Sequence, residues 1–159
     1  MSRWEALCPI PDSARFAKEL SCVKKSRWIF LLAVGGGSVI DSCKAIGYGV
    51  ANPLDRCMEF LPETEVPKDC LPIGAIPTIA ASGSEMSGSC VITNEDGWLK
   101  RGSTRSDLCR PKFALLNPRL TYTLPQYQTE SGCVDILMHT MERYFVNLET
   151  MEITDSISE

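Results

Sequence analysis

The stretch Trp28-Ile29-Phe30-Leu31-Leu32-Ala33-Val34-Gly35-Gly36-Gly37-Ser38-Val39-Ile40-Asp41 decides the fold class of this chain. Residues 28–34 form a continuous apolar run of strand length, which is typical of a parallel strand covered on both faces. Three glycines end this run, and the segment from Ser38 to Ile46 is predicted to be a helix opened by a Ser-x-x-Asp capping box. Strand, glycine turn and helix in this order predict an α/β fold.

The glycine turn is also a candidate anion site. Backbone amides exposed at a helix N-terminus, together with the helix dipole, favour a phosphate group there. The pattern is neither GxGxxG nor a P-loop, so a phosphate cradle and an ordinary tight turn both remain open. Asp41 would repel a phosphate, and it is better suited to cap the helix or to meet a ribose or amide group.

Outward from this unit, the pattern predicts further helices, strands and a loop. A boundary near Leu124-Pro125 separates a partial nucleotide-binding α/β domain, residues 1–124, from the first helix of a second domain, residues 125–159. The predicted elements are a helix at Asp12 to Lys25, a loop at Asn52 to Asp69 with a helical turn around Cys57 to Phe60, strands at Leu71 to Ile76 and Phe113 to Leu116, a hairpin of Val91 to Thr93 with Trp98 to Lys100, and a helix from Gln126 to Asn147.

Two further groups of polar residues are candidate sites. The loop from Thr78 to Glu85 carries hydroxyls at Thr78, Ser82 and Ser84, which suit hydrogen bonds to a sugar or amide as well as an ordinary polar turn. Asp135 and His139 are four residues apart on one helix face, where they can share a metal ion or simply pair with each other. His139 is the only histidine, so this chain alone cannot complete a histidine-rich metal site.

The composition limits the classes of partner. A net charge of -4 and a pI near 5.1 give no basic field for nucleic acid, which we therefore exclude as a partner. No apolar run is long enough to cross a membrane and no secretory signal is evident, so we expect a cytoplasmic protein. The eight cysteines lack zinc-finger spacing, and they are expected to be reduced and mostly buried.

Four motifs in order resemble the iron-containing (group III) alcohol dehydrogenases, particularly the NADPH-dependent butanol dehydrogenases. They are Gly35 to Asp41, Thr78 to Glu85, Arg110-Pro111-Lys112-Phe113 through Asn117-Pro118 to Thr123-Leu124-Pro125, and Gly132-Cys133-Val134-Asp135 to His139-Thr140-Met141-Glu142. The resemblance implies an incomplete Rossmann-like dinucleotide-binding domain followed by the start of an all-helical metal-binding domain, with the active site in the cleft between them. It also implies hydride transfer between a small alcohol or aldehyde and the nicotinamide, assisted by Fe²⁺ or Zn²⁺ as a Lewis acid.

The site residues follow from the same resemblance. Asp135 and His139 match the first two of four metal ligands, while Glu142 is expected to stay a surface residue. NADP(H) is favoured over NAD(H), and a homodimer is possible. We expect this fragment alone to be inactive, the alternative function being a non-catalytic nucleotide-binding remnant. Predicted cofactor contacts are Gly36, Gly37, Ser38 and Asp41 at the pyrophosphate and ribose, Thr78, Ser82 and Ser84 on the nicotinamide side, and, as weaker matches, Lys100 and Leu120.

Overall fold

A parallel βαβ unit organises the chain. The computed structural model describes residues 29–52, 68–94, 99–103, 107–145 and 156. Strand β1 (Leu31–Gly35) is followed by helix α1 (Gly37–Ala51) and strand β2 (Ile73–Pro77), and the two strands pair in parallel from Leu31 opposite Ile73 to Gly35 opposite Pro77. The glycine turn therefore lies at the carboxyl end of β1, beside the carboxyl end of β2.

The core forms where α1 packs on this sheet. Its apolar positions recur at helical spacing, as at Val39, Cys43 and Ile46, and these side chains are buried. They meet Leu31 of β1, a strand that alternates buried and less buried positions, and Ile73 of β2, a strand that is buried almost throughout. Burying aliphatic side chains of this size contributes about 1.5–3 kcal/mol each, so this contact stabilises the glycine turn as part of a rigid unit.

Two more strand pairs complete the sheets. Strand β5 (Phe113–Ala114) pairs in parallel with the other edge of β2, giving the strand order β1-β2-β5. Strands β3 (Cys90–Asn94) and β4 (Leu99–Ser103) form a separate antiparallel hairpin, which confirms the predicted one. Cys90 and Ile92 are buried in the same core as α1. The hairpin is thus fixed to the α1 side of the sheet.

Helix α2 (Gln126–Tyr144) follows three short 3₁₀ turns at Ser84–Met86, Asp107–Cys109 and Pro118–Thr121. Most of α2 is exposed, including apolar residues such as Val134 and Leu137, and Gly132 is its one buried residue. Gly132 lies against the loop after β2, where a β-carbon would come 2.5 Å from the carbonyl oxygen of Ala80. Among the described residues, no helix is long and apolar enough to span a membrane.

Most of the predicted elements are confirmed, with changed bounds. The capping box is wrong, because the helix begins one residue earlier, at Gly37, and its N-cap, Gly36, has no side chain to form a capping bond. The helix from Gln126 ends at Tyr144, and the last strand is shorter than predicted. The predicted helix at residues 12–25, and the loop at 53–67 with its helical turn, lie outside the described residues.

Candidate functional site

The carboxyl ends of β1 and β2 bring two of the predicted motifs together. The Thr78 amide donates a hydrogen bond to the Gly35 carbonyl oxygen at 3.1 Å, so the hydroxyl loop starts beside the glycine turn. At the start of α1, the amides of Val39 and Ile40 both donate to the Gly36 carbonyl oxygen. The earlier amides, at Gly37 and Ser38, have no acceptor within the helix and are suited to bind an anion.

The two glycines at this turn allow a close approach of the hydroxyl loop. A β-carbon on Gly37 would lie 3.0 Å from Ser82 Oγ, and one on Gly36 would lie 3.2 Å from Ile79 Cγ2. Both distances are tighter than ordinary van der Waals contact. Ser82 is exposed and Thr78 is half-buried, so both hydroxyl side chains remain partly accessible beside the turn.

A buried lysine on α1 lies behind the loop. Lys44 Nζ donates to the carbonyl oxygens of Ser84 at 2.8 Å and Ser89 at 2.6 Å, and to Ser84 Oγ at 2.8 Å. Its side chain is 0% exposed, and it forms an ion pair with Asp41 Oδ1 at 3.5 Å. Three convergent acceptors and one carboxylate compensate the cost of burying this charge.

Asp41 and Ser84, which both contact Lys44, have further hydrogen-bond partners inside the protein. Ser84 Oγ donates to Asp41 Oδ1 at 2.6 Å, and the Val91 amide donates to Asp41 Oδ2 at 2.9 Å. Both carboxylate oxygens are therefore engaged, and Ser84 is only 6% exposed. The polar atoms of Asp41 and Ser84 face each other and Lys44 in this geometry. Direct contact of these two residues with the cofactor stays a prediction.

Lys44 is the site residue that the sequence interpretation missed. The available signal was a lysine three residues after Asp41, on a helix face otherwise filled by apolar residues such as Ile40 and Ala45. A charged residue on the buried face of a helix needs a partner, and spacing i, i+3 places Asp41 within reach. The long-range partners Ser84 and Ser89 could not be read from this pattern.

A cavity of about 740 Å³ lies between the hydroxyl loop and α2. This volume is within the range of ligand pockets, about 300–1,000 Å³. His139 lines it from α2 and Ser82 lines it from the hydroxyl loop, so one predicted metal residue and one predicted nicotinamide residue face the same space. Its lining comprises Ala81, Ser82, Gly83, Met86, Ser87, Gly88, Ser89, Asp107, Arg110, Ile136, His139, Thr140 and Arg143.

The predicted metal residues lie together on α2. His139 Nε2 is 3.6 Å from Asp135 Oδ1, and the two side chains are 50% and 45% exposed. Donors about 2.0–2.2 Å from one zinc ion are separated by roughly 3–3.5 Å, whereas 3.6 Å is long for a hydrogen bond. The 3.6 Å separation is slightly above the range for a shared zinc ion, and a small rotation of either half-exposed side chain would bring both donors to one ion. Among the described residues no group of three or more candidate ligands occurs, and Glu142 is exposed.

A smaller apolar pocket of about 290 Å³ lies beside the carboxyl ends of β2 and β5. Leu120, 38% exposed, belongs to the 3₁₀ turn that forms one of its walls. Lys100 lies elsewhere, on β4 opposite Thr93, and is exposed. The pocket is lined by Pro77, Ile79, Ala80, Glu85, Leu116, Asn117, Pro118 and Thr121.

The five cysteines in the described part of the chain do not line the candidate site. Cys43, Cys90 and Cys109 are buried, Cys70 is half-buried and Cys133 is exposed, which agrees with the prediction that most are buried. Burial raises the pKa of the Cys70 and Cys90 thiols to about 12, with a further contribution from the neighbouring Cys109. Both thiols therefore stay protonated at neutral pH, when they are poor nucleophiles.

This difference in exposure predicts unequal alkylation. At pH 8, we expect iodoacetamide to modify Cys133 more than about tenfold faster than Cys90, because the thiolate is the reactive form. Site-resolved mass spectrometry measures both rates, and the same chain in guanidinium provides the control, in which the two rates should converge. Equal rates in the folded chain would contradict the burial of Cys90.

The sequence of this chain places it in a known family. Residues 3–118 match the family described as iron-containing alcohol dehydrogenase. This match covers most of the chain and includes the glycine turn, the hydroxyl loop and the strands that hold them. The chain belongs to the iron-containing alcohol dehydrogenase family, and its fold is the Rossmann-like α/β fold of that family.

Individual relatives agree with this assignment. A probable NADH-dependent butanol dehydrogenase of Bacillus subtilis is 40% identical over 151 residues, covering 95% of this chain. The NADPH-dependent aldehyde reductase YqhD of Escherichia coli is 34% identical over 154 residues, also covering 95%. The solved NADH-dependent butanol dehydrogenase A of Thermotoga maritima matches with a TM-score of 0.85 at 35% identity, over 91% of this chain. The chain spans 38%, 39% and 36% of these three proteins, respectively.

Proposed function

We propose that this chain forms the NAD(P)(H)-binding part and half of the metal site of an alcohol dehydrogenase or aldehyde reductase of the butanol dehydrogenase type. The reaction is hydride transfer between the nicotinamide and a small primary alcohol or aldehyde. The observation that carries this proposal is the large cavity, because Ser82 of the hydroxyl loop and His139 of α2 both line it. Hydride transfer requires the nicotinamide and the alcohol or aldehyde to lie side by side in one such space.

The glycine turn is proposed to bind the pyrophosphate. The Gly37 and Ser38 amides at the start of α1 would donate to the phosphate, and Gly36 and Gly37 let the hydroxyl loop lie close beside them. Thr78 and Ser82 then lie beside this phosphate, where their hydroxyls would orient the nicotinamide riboside. Asp41 and Ser84 support the loop from behind in this proposal.

The remaining predicted cofactor contacts are assigned to the rim of the site. The smaller pocket is apolar, and it lies next to the carboxyl ends of parallel strands. Planar aromatic rings bind in pockets of this kind. We assign this pocket to an aromatic ring of the dinucleotide, with Leu120 at its edge. Lys100, exposed on the hairpin, stays a predicted contact of a cofactor phosphate or ribose.

Asp135 and His139 are proposed to hold the metal ion, with further ligands outside the described residues. Fe²⁺ or Zn²⁺ bound there would supply Lewis-acid polarisation of the alcohol or aldehyde oxygen. The chain contributes by holding Asp135 and His139 on one helix face, and His139 lines the same cavity as Ser82. In this proposal the chain holds the two reactants side by side, and no protein base is required to act on carbon.

Cofactor preference and assembly are separate parts of the proposal. The relatives include proteins named as NADH-dependent and one named as NADPH-dependent, so our preference for NADP(H) stays a prediction. The homodimer and the inactivity of this chain alone also stay predictions. The alternative function, a non-catalytic nucleotide-binding remnant, likewise stays a prediction.

Calorimetric titration of this chain tests both halves of the proposal. We expect NADPH to bind, more tightly than NADH, and Zn²⁺ to bind weakly because two protein ligands do not complete its coordination. Replacing both metal residues, Asp135→Ala with His139→Ala, should lower Zn²⁺ affinity more than about tenfold without changing NADPH affinity.

The control is Glu130→Ala, which removes an exposed carboxylate from the same helix away from the pair. It should leave Zn²⁺ affinity unchanged. Failure of the folded chain to bind either dinucleotide would contradict the cofactor assignment. Zn²⁺ affinity that survives the double variant would contradict the metal assignment, whereas NADPH binding with no Zn²⁺ binding at all would favour the nucleotide-binding remnant.

A further inference from the structure

Lys44 connects helix α1 with the wall of the candidate active site. An ammonium group has three N–H donors, and Lys44 directs them to three acceptors, the two carbonyl oxygens of Ser84 and Ser89 and the Ser84 hydroxyl. With its side chain 0% exposed, every donor is used inside the protein. Methionine has similar length without these donors, and the planar guanidinium of arginine would direct its donors differently.

The contacts of Lys44 span the end of the hydroxyl loop and the residues that lead from it into β3. Ser84 and Ser89 bracket Met86, Ser87 and Gly88, which line the large cavity across from His139. Asp41 extends the connection, since its carboxylate accepts from the Ser84 hydroxyl and from the Val91 amide. Five hydrogen bonds therefore connect residues 84–91 with side chains of the same helix, α1.

The same helix carries the proposed phosphate site at its other end. Its first residue, Gly37, lies so close to the loop that an added β-carbon would be 3.0 Å from Ser82 Oγ. Because α1 is packed in the core, the distance between its N-terminus and Lys44 is fixed. The position of the loop relative to the glycine turn therefore depends on how firmly Lys44 holds residues 84–91.

We propose that Lys44 is a positioning residue, which fixes the hydroxyl loop relative to the glycine turn and thereby sets the nicotinamide side of the cofactor site. It touches neither cofactor nor substrate, and it acts through Ser84 and Ser89. This inference rests on the proposed function for the identity of the ligand. It assigns to Lys44 a selective effect on the nicotinamide end, with little effect on the phosphates.

The test compares two ligands that differ only in the nicotinamide, NADPH and ADP-ribose 2′-phosphate, on the chain carrying Lys44→Met. We expect NADPH affinity to fall at least about tenfold and ADP-ribose 2′-phosphate affinity to fall less than about threefold, because the lost hydrogen bonds hold the nicotinamide side. The control is Lys68→Met, the same change at an exposed lysine, which should alter neither affinity.

Hydrogen exchange provides a readout on the ligand-free chain. Lys44→Met should speed exchange of the amides at residues 84–91 while leaving those of β1 and β2 protected. If the single variant does not fold, Asp41→Asn with Lys44→Met removes both charges together and undergoes the same measurements.

The outcomes separate this inference from the proposed function. Equal loss of both affinities would show a merely structural role and overturn the inference, as would unchanged exchange at residues 84–91. If the unaltered chain binds neither ligand, the proposed function fails, and the exchange readout alone then decides whether Lys44 positions the loop. Faster exchange at residues 84–91 together with a selective loss of NADPH affinity supports the positioning role of Lys44.

Discussion

Replacing Gly37 by valine is expected to weaken NADPH binding at least about tenfold while leaving the chain folded. Loss of one or two hydrogen bonds to a phosphate is enough to lower the affinity by this factor. A β-carbon at this position would already be 3.0 Å from Ser82 Oγ, and the two γ-carbons of valine add further bulk. The ligand phosphate and the hydroxyl loop would both be displaced from the start of α1. Equilibrium titration followed by NADPH fluorescence measures the effect.

Gly102 offers a matched glycine for comparison. It is exposed on β4, where a β-carbon would be 3.5 Å from Val91 Cγ2, an ordinary contact, and valine suits a strand. Gly102→Val should therefore keep full affinity. If Gly37→Val bound NADPH as tightly as the unaltered chain, the glycine turn would not be the phosphate site, whatever the fate of the metal assignment.

Local patterns predicted the elements of this fold because their signals are local. The apolar run before Gly35 and the spacing of Val39, Cys43 and Ile46 indicate a buried strand and a helix that packs on it. The antiparallel hairpin likewise follows from two strand-like segments around turn residues. Strand order did not follow, because the pairing of β5 with β2 joins residues that are far apart in the chain.

Site residues could be predicted where they lie close together in one motif, but contacts between distant motifs could not. Asp135 and His139 were found from their spacing, because the helix itself brings them to one face. Asp41 was assigned to a capping box or the ligand, but its carboxylate accepts from Ser84 and Val91. Such partners, 43 and 50 residues away, depend on tertiary packing that no local pattern records.

A single close contact places the proposed metal residues relative to the rest of the site. Gly132 is the one buried residue of α2, and it lies against the backbone of Ala80 just before the hydroxyl residue Ser82. Asp135 and His139 follow within two turns of the same helix. The separation between the proposed metal ligands and the nicotinamide side is therefore set by how closely α2 approaches at Gly132.

Gly132→Ala is expected to destabilise the chain by about 1–3 kcal/mol, the usual cost of overpacking a close contact. The added β-carbon would be 2.5 Å from the Ala80 carbonyl oxygen, which belongs to the backbone, so α2 or the loop must move. Urea unfolding measures the free energy, and hydrogen exchange should show faster exchange along α2. Any effect of bound Zn²⁺ on NADPH affinity in the unaltered chain should be absent in Gly132→Ala, because the helix moves away.

The sign of this effect separates packing from helix propensity. Alanine is a better helix former than glycine by about 1 kcal/mol, so propensity alone predicts that Gly132→Ala stabilises α2. Ser131→Ala provides the control at the neighbouring exposed position, where only propensity acts and a small gain is expected. A gain in stability for both variants would mean that α2 does not depend on the contact with Ala80. A loss of stability for Gly132→Ala alone would show that the contact with Ala80 holds α2, and with it the proposed metal ligands, in place.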